Sequence, residues 1–330
     1  MNILYTTNDG FVGKVATGIC SVFENNMDLP ELTVYIIGQE ISEKNKKKFG
    51  QLSQMYGRDI SVIDLGNLNS YFDFDFDTLG WAPVILARLV LDKLLPETVD
   101  RVLYLDGDTV DIRGLQELWD TDLQGNILGA CIEATVDKKR KKNLDMEGIP
   151  YINSGVLLID LNKWRKECCG EKIINYYREK CGKLFAADQD VINAVLKDKI
   201  FYLPPCYNFY NIYWLYPYRV LKKMMGGDWY YSEDVFEKSL KQPVIIHFLG
   251  EERPWRKGNN HKYNLWYKKY HEKTPWKDES EEEGWELYFK CWDLFNILMK
   301  PFPMLRYHII NHLVPVFMKW RKKQLDKENR

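Results

Sequence analysis

Residues 101–108 have the sequence Arg-Val-Leu-Tyr-Leu-Asp-Gly-Asp, an apolar, β-prone run that ends in two carboxylates one residue apart. Strands of an open α/β sheet place functional groups at their carboxyl ends, where the crevice of the sheet opens. Carboxylate oxygens there suit Mg²⁺ or Mn²⁺, which complete their coordination with substrate phosphates. Gly107 lets a ligand approach the backbone between Asp106 and Asp108. The stretch predicts a buried strand that ends at a metal site, with a plain strand-end turn as the alternative.

The other Asp-x-Asp patterns of the chain have ordinary structural explanations. Residues 73–77 alternate Asp and Phe with the period of a strand, which indicates inward phenylalanines and solvated carboxylates. Asp120 and Asp122 are typical of a polar turn or a helix cap. Residues 188–190 open a predicted helix, where carboxylates complement the helix dipole, although this turn could also face a cleft. Only the pair at 106 and 108 directly follows a buried strand.

Length and composition exclude several classes of protein. A chain of 330 residues can bury a large core in one elaborated domain or two. The 46 Lys and Arg nearly balance the 47 Asp and Glu, so charge does not indicate a nucleic-acid partner. Seven cysteines without a Cys-x-x-Cys pair argue against a disulfide framework and a structural zinc site. The chain enters a predicted strand without a basic, apolar leader, so the expected location is the cytoplasm.

Strands and helices alternate along the first two thirds of the chain. The predicted strands are residues 2–7, 32–37, 60–65, 101–105, 127–132, 155–161 and 244–248, and the predicted helices are residues 15–23, 43–56 (capped by Ser42) and 81–94. This alternation predicts an α/β fold with a mostly parallel central sheet covered on both faces. The sequence has no Gly-x-Gly-x-x-Gly or phosphate-loop motif, which argues against a dinucleotide enzyme or an ordinary NTPase.

Composition changes after about residue 256. Residues 257–284 are predicted to be a linker, and residues 285–330 a helical extension. Within this extension, aromatic and apolar residues interleave with basic ones over residues 285–323, as in interfacial anchors for anionic lipid. Its apolar runs are shorter than the about 18 residues that span a bilayer. We therefore expect peripheral association with the cytosolic face of a membrane, with two helices packed on the main domain or on a partner subunit as the alternative.

Polar groups also occur at the ends of other predicted strands. Asn153 and Ser154 precede an apolar run and can hydrogen-bond sugar hydroxyls, unless they form a simple capped turn. His247 ends another strand, and a neutral imidazole is a suitable third ligand beside two carboxylates. A histidine there can equally be a structural residue. Gly250 and Arg253 follow with a turn and a cation that suit a diphosphate.

These motifs, in this order, resemble the retaining glycosyltransferases of family 8, which include bacterial lipopolysaccharide galactosyl- and glucosyltransferases and glycogenin. The similarity runs from residue 2 to about residue 256 and rests on Asn8-Asp9, Ala87-Arg88-Leu89, Leu103 to Asp108, Leu118-Trp119-Asp120, Leu128 to Cys131, Asn153 to Leu158, Asp188-Gln189-Asp190, His247 to Gly250 and Pro254-Trp255. The resemblance implies a GT-A type α/β fold, a UDP-sugar donor and a Mn²⁺ ion, with Mg²⁺ as the alternative metal.

The resemblance also implies roles for single residues. The metal ligands would be Asp106, Asp108 and His247. The residues implied to bind the nucleotide sugar are Thr7, Asn8, Asp9, Arg88, Asp106, Gly107, Asn153, Ser154, Asp188, Gln189, Gly250 and Arg253. The catalytic positions among them are Asn153, Asp188 and Gln189.

Two positions depart from the family pattern. Asn8 stands where the family often has an aspartate, so the contact to uracil or ribose either differs or passes to Asp9. Arg253 stands where the family usually has a lysine before Pro-Trp. The charge is kept, although a planar guanidinium holds phosphate differently from an ammonium. We expect activity to survive both departures.

The predicted function is transfer of glucose or galactose from a UDP-hexose to a glycan, glycolipid or glycoprotein acceptor, with retention at the anomeric carbon. Gln189 is a poor nucleophile because it is an amide, and front-face attack with proton transfer to the UDP phosphate is the favoured route. One alternative is a catalytically inactive UDP-sugar binder or partner protein. The other is a sugar nucleotidyltransferase, disfavoured because no glycine-rich phosphate loop occurs near residue 10.

Overall fold

The chain folds around a twisted seven-stranded sheet. A computed structural model describes residues 1–78, 82–226 and 230–328, with side chains as far as residue 316. The strands of the described residues are β1 (Asn2–Asn8), β2 (Thr33–Gln39), β3 (Asp59–Asp64), β4 (Arg101–Leu105), β5 (Thr109–Asp111), β6 (Leu128–Ile132), β7 (Ile152–Asp160), β8 (Ile200–Tyr202) and β9 (Ile245–His247).

Helices cover both faces of this sheet and form the C-terminal part of the chain. The α-helices of the described residues are α1 (Val12–Asn25), α2 (Glu43–Tyr56), α3 (Leu91–Leu94), α4 (Gln116–Trp119), α5 (Lys138–Asn143), α6 (Leu161–Lys166), α7 (Cys169–Glu179), α8 (Ala187–Leu196), α9 (Ile212–Leu215), α10 (Tyr218–Met224), α11 (Glu233–Lys241), α12 (Asn264–His271), α13 (Glu286–Met299) and α14 (Pro303–Glu328). Short 3₁₀ helices are Asp9–Phe11, Leu68–Tyr71, Pro83–Val90 and Pro205–Tyr207.

The strand order of the large sheet is β3-β2-β1-β4-β7-β6-β8. Neighbouring strands run parallel except at β7, which is antiparallel to both β4 and β6. The prediction of an α/β fold with a mostly parallel central sheet is confirmed. Because β7 runs against its neighbours, its first residues lie where β4 and β6 end, so Asn153, Ser154 and Gly155 belong to the strand and reach the carboxyl edge of the sheet.

The predicted helix at residues 81–94 has a different form. Trp81 lies outside the described residues, and Pro83–Val90 is a 3₁₀ helix that continues as one α-helical turn, α3. Side chains three residues apart align in a 3₁₀ helix, and Ile85 and Arg88 both line the large cleft described below. The predicted cap of α2 is confirmed, because Ser42 accepts a hydrogen bond from the Asn45 backbone N–H.

A second, two-stranded sheet pairs β5 with β9, and β5 was missed by the sequence analysis. The strands are antiparallel, with Thr109 opposite His247 and Asp111 opposite Ile245. Both strands have only three residues, all of them buried. This small sheet joins the end of the predicted metal motif to a segment more than a hundred residues later in the chain.

Residues 257–284 pack against the sheet domain. Helix α12 lies against α1, and Trp276 is buried with its ring 4.9 Å from that of Phe49. Farther along, Arg306 of α14 is buried and donates to the Tyr216 hydroxyl at 2.7 Å. The division of the chain at residues 256 and 284 stays a prediction.

Helices α13 and α14 are only partly covered. Phe289 is buried, whereas Leu287, Ile297 and Val316 are 74%, 69% and 58% exposed. Phe317 and the later aromatic and basic residues of the predicted anchor have side chains outside the described part of the chain. No helix of the described residues is both long enough and apolar enough to cross a bilayer.

Strand β5 ends in a buried acid that affects stability. Neither carboxylate oxygen of Asp111 has a hydrogen-bond partner among the described residues, and burial raises its pKa well above the usual value of 3.8. The folded chain therefore retains a proton that the unfolded chain releases above about pH 4, so stability falls as pH rises through this range.

We expect Asp111→Asn to remove this dependence, since an amide does not titrate. Relative to the wild type, the variant should gain up to about 1.4 kcal/mol in free energy of unfolding for each pH unit above pH 4 over which only the unfolded wild type has released this proton. Urea unfolding of both proteins between pH 4 and 8 measures the difference. A gain that is the same at every pH would contradict this explanation.

Candidate active site

The two carboxylates of the 101–108 motif meet His247 at the carboxyl edge of the sheet. One oxygen from each carboxylate and one ring nitrogen all lie within 4.8 Å of one another, a grouping that could hold a metal ion. His247 Nε2 is 3.2 Å from Asp108 Oδ1 and 3.9 Å from Asp106 Oδ2. His247 is buried, whereas the carboxylates are partly exposed to the cleft. The structure brings together the three predicted metal ligands.

Backbone pairing fixes the three side chains. Asp106 N–H donates to the Gly155 carbonyl of β7 at 2.8 Å, and Phe248 N–H donates to the Asp108 carbonyl at 2.9 Å. The Tyr104 hydroxyl donates to Asp106 Oδ1 at 2.7 Å. Each of the three residues thus lies in or beside a strand that is already hydrogen-bonded to its neighbours. Little further ordering of the protein is therefore needed when a metal binds.

Asp108 and His247 each favour the charged form of the other. Burial alone lowers the pKa of His247, but the carboxylates of Asp108 and Asp106 more than offset burial and raise it. Burial alone raises the pKa of Asp108, and His247 and Arg253 reverse the shift and lower it. Asp108 is therefore held as an anion, the form that binds a divalent cation.

Gly107 and Gly155 leave no space for side chains. A Cβ at Gly107 would lie 2.7 Å from Val15 Cγ2, so packing within the protein already requires glycine there. A Cβ at Gly155 would lie 2.3 Å from His247 Cε1 and 2.9 Å from Asp106 Oδ2. Strand β7 therefore packs directly against the predicted metal ligands.

Arg88 joins the metal cluster to Asp188. Its Nε is 2.7 Å from Asp188 Oδ2, its Nη2 is 3.2 Å from Asp106 Oδ1, and its Nη1 donates to the Ser154 carbonyl at 2.8 Å. The guanidinium lies 4.5 Å above the Tyr104 ring. Burial alone lowers the pKa of Arg88, but Asp188 and the other anions more than offset it, so the guanidinium stays charged.

Asp188 and Gln189 begin α8 and reach the cleft beside β7. Burial raises the pKa of Asp188 to about 6, against the lowering effect of Arg88. Gln189 Oε1 accepts from the Ser154 backbone N–H at 2.9 Å, and its Nε2 donates to the Tyr151 hydroxyl at 3.2 Å. Asn153 Oδ1 accepts from the Gly155 N–H at 2.9 Å. The predicted sugar-binding residues are thus fixed before any ligand arrives.

The residues at 7–9, which the resemblance implies bind the nucleotide, lie in two different environments. Thr7 and Asn8 line the cleft. Asp9 is absent from the cleft lining of the described chain, and its Oδ1 accepts from Ser42 N–H at 2.8 Å and from Asn45 Nδ2 at 2.7 Å. The hydrogen bond from Ser42 lowers the pKa of Asp9. One oxygen of Asp9 therefore orders the start of α2.

Arg253 pairs with Asp108 of the predicted metal cluster. Its Nη2 is 3.6 Å from Asp108 Oδ2, and its Nε donates to the Gly250 carbonyl at 2.9 Å. Gly250 has φ +81°, a left-handed conformation that favours glycine. The predicted turn and cation therefore lie beside the predicted metal ligands.

The site opens into a cleft of about 1030 Å³, here called the main cleft. The sheet edge supplies one wall, with Thr7, Arg88, Asp106, Asp188 and Gln189 among its residues. Helices α13 and α14 supply another part of the lining, with Tyr288, Trp292, Arg306, Tyr307 and Asn311.

Two buried polar residues near the cluster were missed by the sequence analysis. Glu133 lines the main cleft and directly follows β6, just as Asp106 directly follows β4. A carboxylate at the end of an apolar strand is a signal that could have identified it. Asn208 contacts His247 but follows a short 3₁₀ helix in an irregular segment, and the sequence carries no signal for it.

The match to a known family agrees with this geometry. A model of glycosyl transferase family 8 matches residues 2–259. The chain belongs to this family. The resemblance inferred from the motifs is confirmed, and the protein is a glycosyltransferase and therefore an enzyme.

Relatives of this family 8 chain include two lipopolysaccharide glycosyltransferases. A lipopolysaccharide 1,2-glucosyltransferase of Escherichia coli (strain K12) is 28% identical over 291 residues, which cover 86% of this chain and 81% of the relative. A lipopolysaccharide 1,3-galactosyltransferase of Salmonella typhimurium is 23% identical over 284 residues, 83% of this chain and 79% of the relative.

A solved structure has the same fold. The galactosyltransferase LgtC, in complex with donor and acceptor sugar analogs, superposes with a TM-score of 0.71 at 24% identity, covering 86% of this chain and 99% of LgtC. This similarity confirms the predicted GT-A type fold.

Proposed function

We propose that this family 8 enzyme transfers a hexose from a UDP-hexose to a glycan, glycolipid or glycoprotein acceptor, with retention and with the help of Mn²⁺. The observation that carries the proposal is the meeting of Asp106, Asp108 and His247 opposite Arg253 in the main cleft. Two carboxylates, an imidazole and a nearby guanidinium fit a divalent cation that carries a diphosphate.

The ligand set fits Mn²⁺, with Mg²⁺ as the alternative. Nε2 of His247 is buried without a hydrogen-bond partner among the described residues and lies beside both carboxylates, as expected of a metal ligand. When bound, the ion would neutralise charge on the departing UDP. The guanidinium of Arg253 would be a second cation that binds the same diphosphate. Gly250 would give the loop before it the required turn.

The sugar would lie against β7 and α8. Arg88 and Asp188 would orient its hydroxyls, and Asn153 retains a side-chain N–H beyond the one that Glu133 accepts. Oδ2 of Asp188 pairs with Arg88 and Oε1 of Gln189 accepts from Ser154, so both side chains are already held by the protein. This arrangement supports front-face attack by the acceptor hydroxyl, with its proton passing to the departing phosphate.

The relatives suggest an acceptor class. Both lipopolysaccharide transferases named above build bacterial surface glycans, and together they use glucose and galactose, so we propose one of these hexoses. The exposed apolar side chains of α13 and α14 support peripheral association through residues 285–323 with the cytosolic face of a membrane, where a lipid-linked acceptor would be presented.

Nucleotide release tests the reaction class. We expect purified protein with Mn²⁺ to release UDP from one UDP-hexose in a panel of UDP- and GDP-sugars, slowly with water and faster with acceptor. Chelation should abolish release, and added Mn²⁺ should restore it. Absence of both turnover and UDP binding by calorimetry would contradict the proposal and favour an inactive partner protein, whereas pyrophosphate chemistry would indicate a nucleotidyltransferase.

The pH dependence of turnover tests the role of Asp188. Because its pKa is about 6, its ionised fraction falls as pH falls through 6, and with it the anion that orients the sugar. We expect kcat/KM to be level above pH 7 and to fall about tenfold per pH unit well below 6. Rates at saturating Mn²⁺, with Mn²⁺ affinity measured at each pH, separate this effect from protonation of the metal ligands. A level profile down to pH 5 would exclude the role.

A further inference from the structure

A chain of buried hydrogen bonds leads from His247 to Glu133. His247 Nδ1 is 2.8 Å from Asn208 Oδ1, and Asn208 Nδ2 is 2.8 Å from Asn153 Oδ1. Asn153 Nδ2 is 3.3 Å from Glu133 Oε2, which also accepts from the Tyr210 hydroxyl at 2.8 Å. All five side chains are at least nine-tenths buried.

One backbone amide fixes the direction of this chain. Gly155 N–H can only donate, and it donates to Asn153 Oδ1 at 2.9 Å, so the amide group of Asn153 has a single orientation. Asn208 must then donate through Nδ2 to Asn153 Oδ1, which leaves its own Oδ1 facing His247. An amide oxygen only accepts, so His247 carries a proton on Nδ1.

The consequence lies at the other ring nitrogen. With Nδ1 protonated, the neutral imidazole of His247 has its lone pair on Nε2, which lies 3.2 Å from Asp108 Oδ1. Metal-ligating histidines usually donate their other ring N–H to an oxygen that fixes the tautomer and the ring orientation. Asn208 Oδ1 has this position.

We propose that Asn208 is a positioning residue that holds His247 ready to bind the metal, and that the Glu133 carboxylate strengthens this effect through Asn153. Glu133 is a buried carboxylate that forms no ion pair within the described part of the chain, and its hydrogen bonds come from Asn153, Tyr210 and Thr135. Its negative charge polarises both amides in the same sense, so that Asn208 Oδ1 becomes a better acceptor and Nε2 a better donor of electrons.

This inference rests on the proposed metal-dependent function, and Mn²⁺ binding tests it without turnover. Electron paramagnetic resonance measures free Mn²⁺ and hence its dissociation constant, and electron spin echo modulation detects an imidazole nitrogen bound to Mn²⁺. We expect Asn208→Leu to raise the dissociation constant about 10–100-fold and to weaken the nitrogen modulation, the usual scale for outer-shell partners. Glu133→Gln, which removes the charge but keeps the shape, should raise it less.

Two further variants separate positioning from general damage. Asn208→Asp keeps an oxygen that accepts from Nδ1, and we expect it to bind Mn²⁺ about tenfold more tightly than Asn208→Leu. Asn26→Leu removes an equally buried amide that accepts from Leu115 N–H and takes no part in the hydrogen bonds between His247 and Glu133, and it should lower thermal stability without changing Mn²⁺ affinity.

The outcomes distinguish this inference from the proposed function. Failure of the wild-type protein to bind Mn²⁺ with nitrogen modulation would overturn the metal site and the inference together. Binding by the wild type that is unchanged in Asn208→Leu would overturn the inference alone. Equal weakening in Asn208→Leu and Asn26→Leu would assign Asn208 a purely structural role.

Discussion

Asp108→Ala will lower kcat/KM by about two to three orders of magnitude. Asp108 is the only acidic side chain of the described residues that pairs within 4 Å with both His247 Nε2 and the Arg253 guanidinium. Removing its carboxylate takes away a proposed metal ligand and the anion that pairs with the Arg253 guanidinium. One electrostatic contact of this kind is commonly worth about 3–4 kcal/mol in the transition state, which corresponds to this loss.

Initial rates of UDP release from the preferred donor, at several Mn²⁺ concentrations, measure the effect. Asp75→Ala is the matched control, because Asp75 also belongs to an Asp-x-Asp pattern but is exposed and far along the chain from the cluster. We expect Asp75→Ala to retain wild-type rates. An Asp108→Ala protein that stays folded and within tenfold of wild type would refute the assignment of the metal site.

Gly155→Ala is expected to be nearly as damaging, although it adds only one methyl group. The new Cβ would meet His247 Cε1 at 2.3 Å and Asp106 Oδ2 at 2.9 Å, much closer than van der Waals contact. Residue 155 lies in a buried strand held between two neighbours, so the ligands must move instead of the backbone. A displacement of about 1 Å at such a site costs about a hundredfold in rate.

We expect Gly155→Ala to lose Mn²⁺ affinity and activity together, with a stability loss of about 1–3 kcal/mol from overpacking. Electron paramagnetic resonance titration, rate measurements and urea unfolding give the three values. Gly50→Ala is the control, because a Cβ at this helical position meets nothing within 4 Å. Gly155→Ala with normal Mn²⁺ affinity would show that β7 can move away from the ligands.

Much of the fold could be predicted because its signals are local. The run at 101–105 is β4, and its abrupt end in carboxylates marked the edge of the sheet where the cleft lies. Alternation of strands and helices is enough to predict a mostly parallel sheet. The reversed direction of β7 was not predictable, because a strand's own sequence does not state which neighbours it pairs with.

The candidate site was predictable only in part, for a related reason. Asp106, Asp108 and His247 each end or follow an apolar strand, a pattern visible in the sequence. Strand β5 has three residues, too few for periodicity, and Asn208 lies in an irregular segment. Asp9 was assigned by resemblance to nucleotide binding, whereas the structure pairs one of its oxygens with the start of α2. Such pairings depend on tertiary contacts that no local pattern encodes.

The pairing of β5 with β9 also joins residues that are synthesised far apart in time. Ribosomes add about 5–20 residues per second, and about 140 residues separate Asp108 from His247. Asp106 and Asp108 are therefore synthesised at least roughly 7 s before His247. During that interval the nascent chain has two carboxylates without the imidazole that complements them and an edge that awaits its partner strand. The proposed metal site is thus completed late in biosynthesis, and a chain truncated before residue 247 lacks the imidazole that completes it.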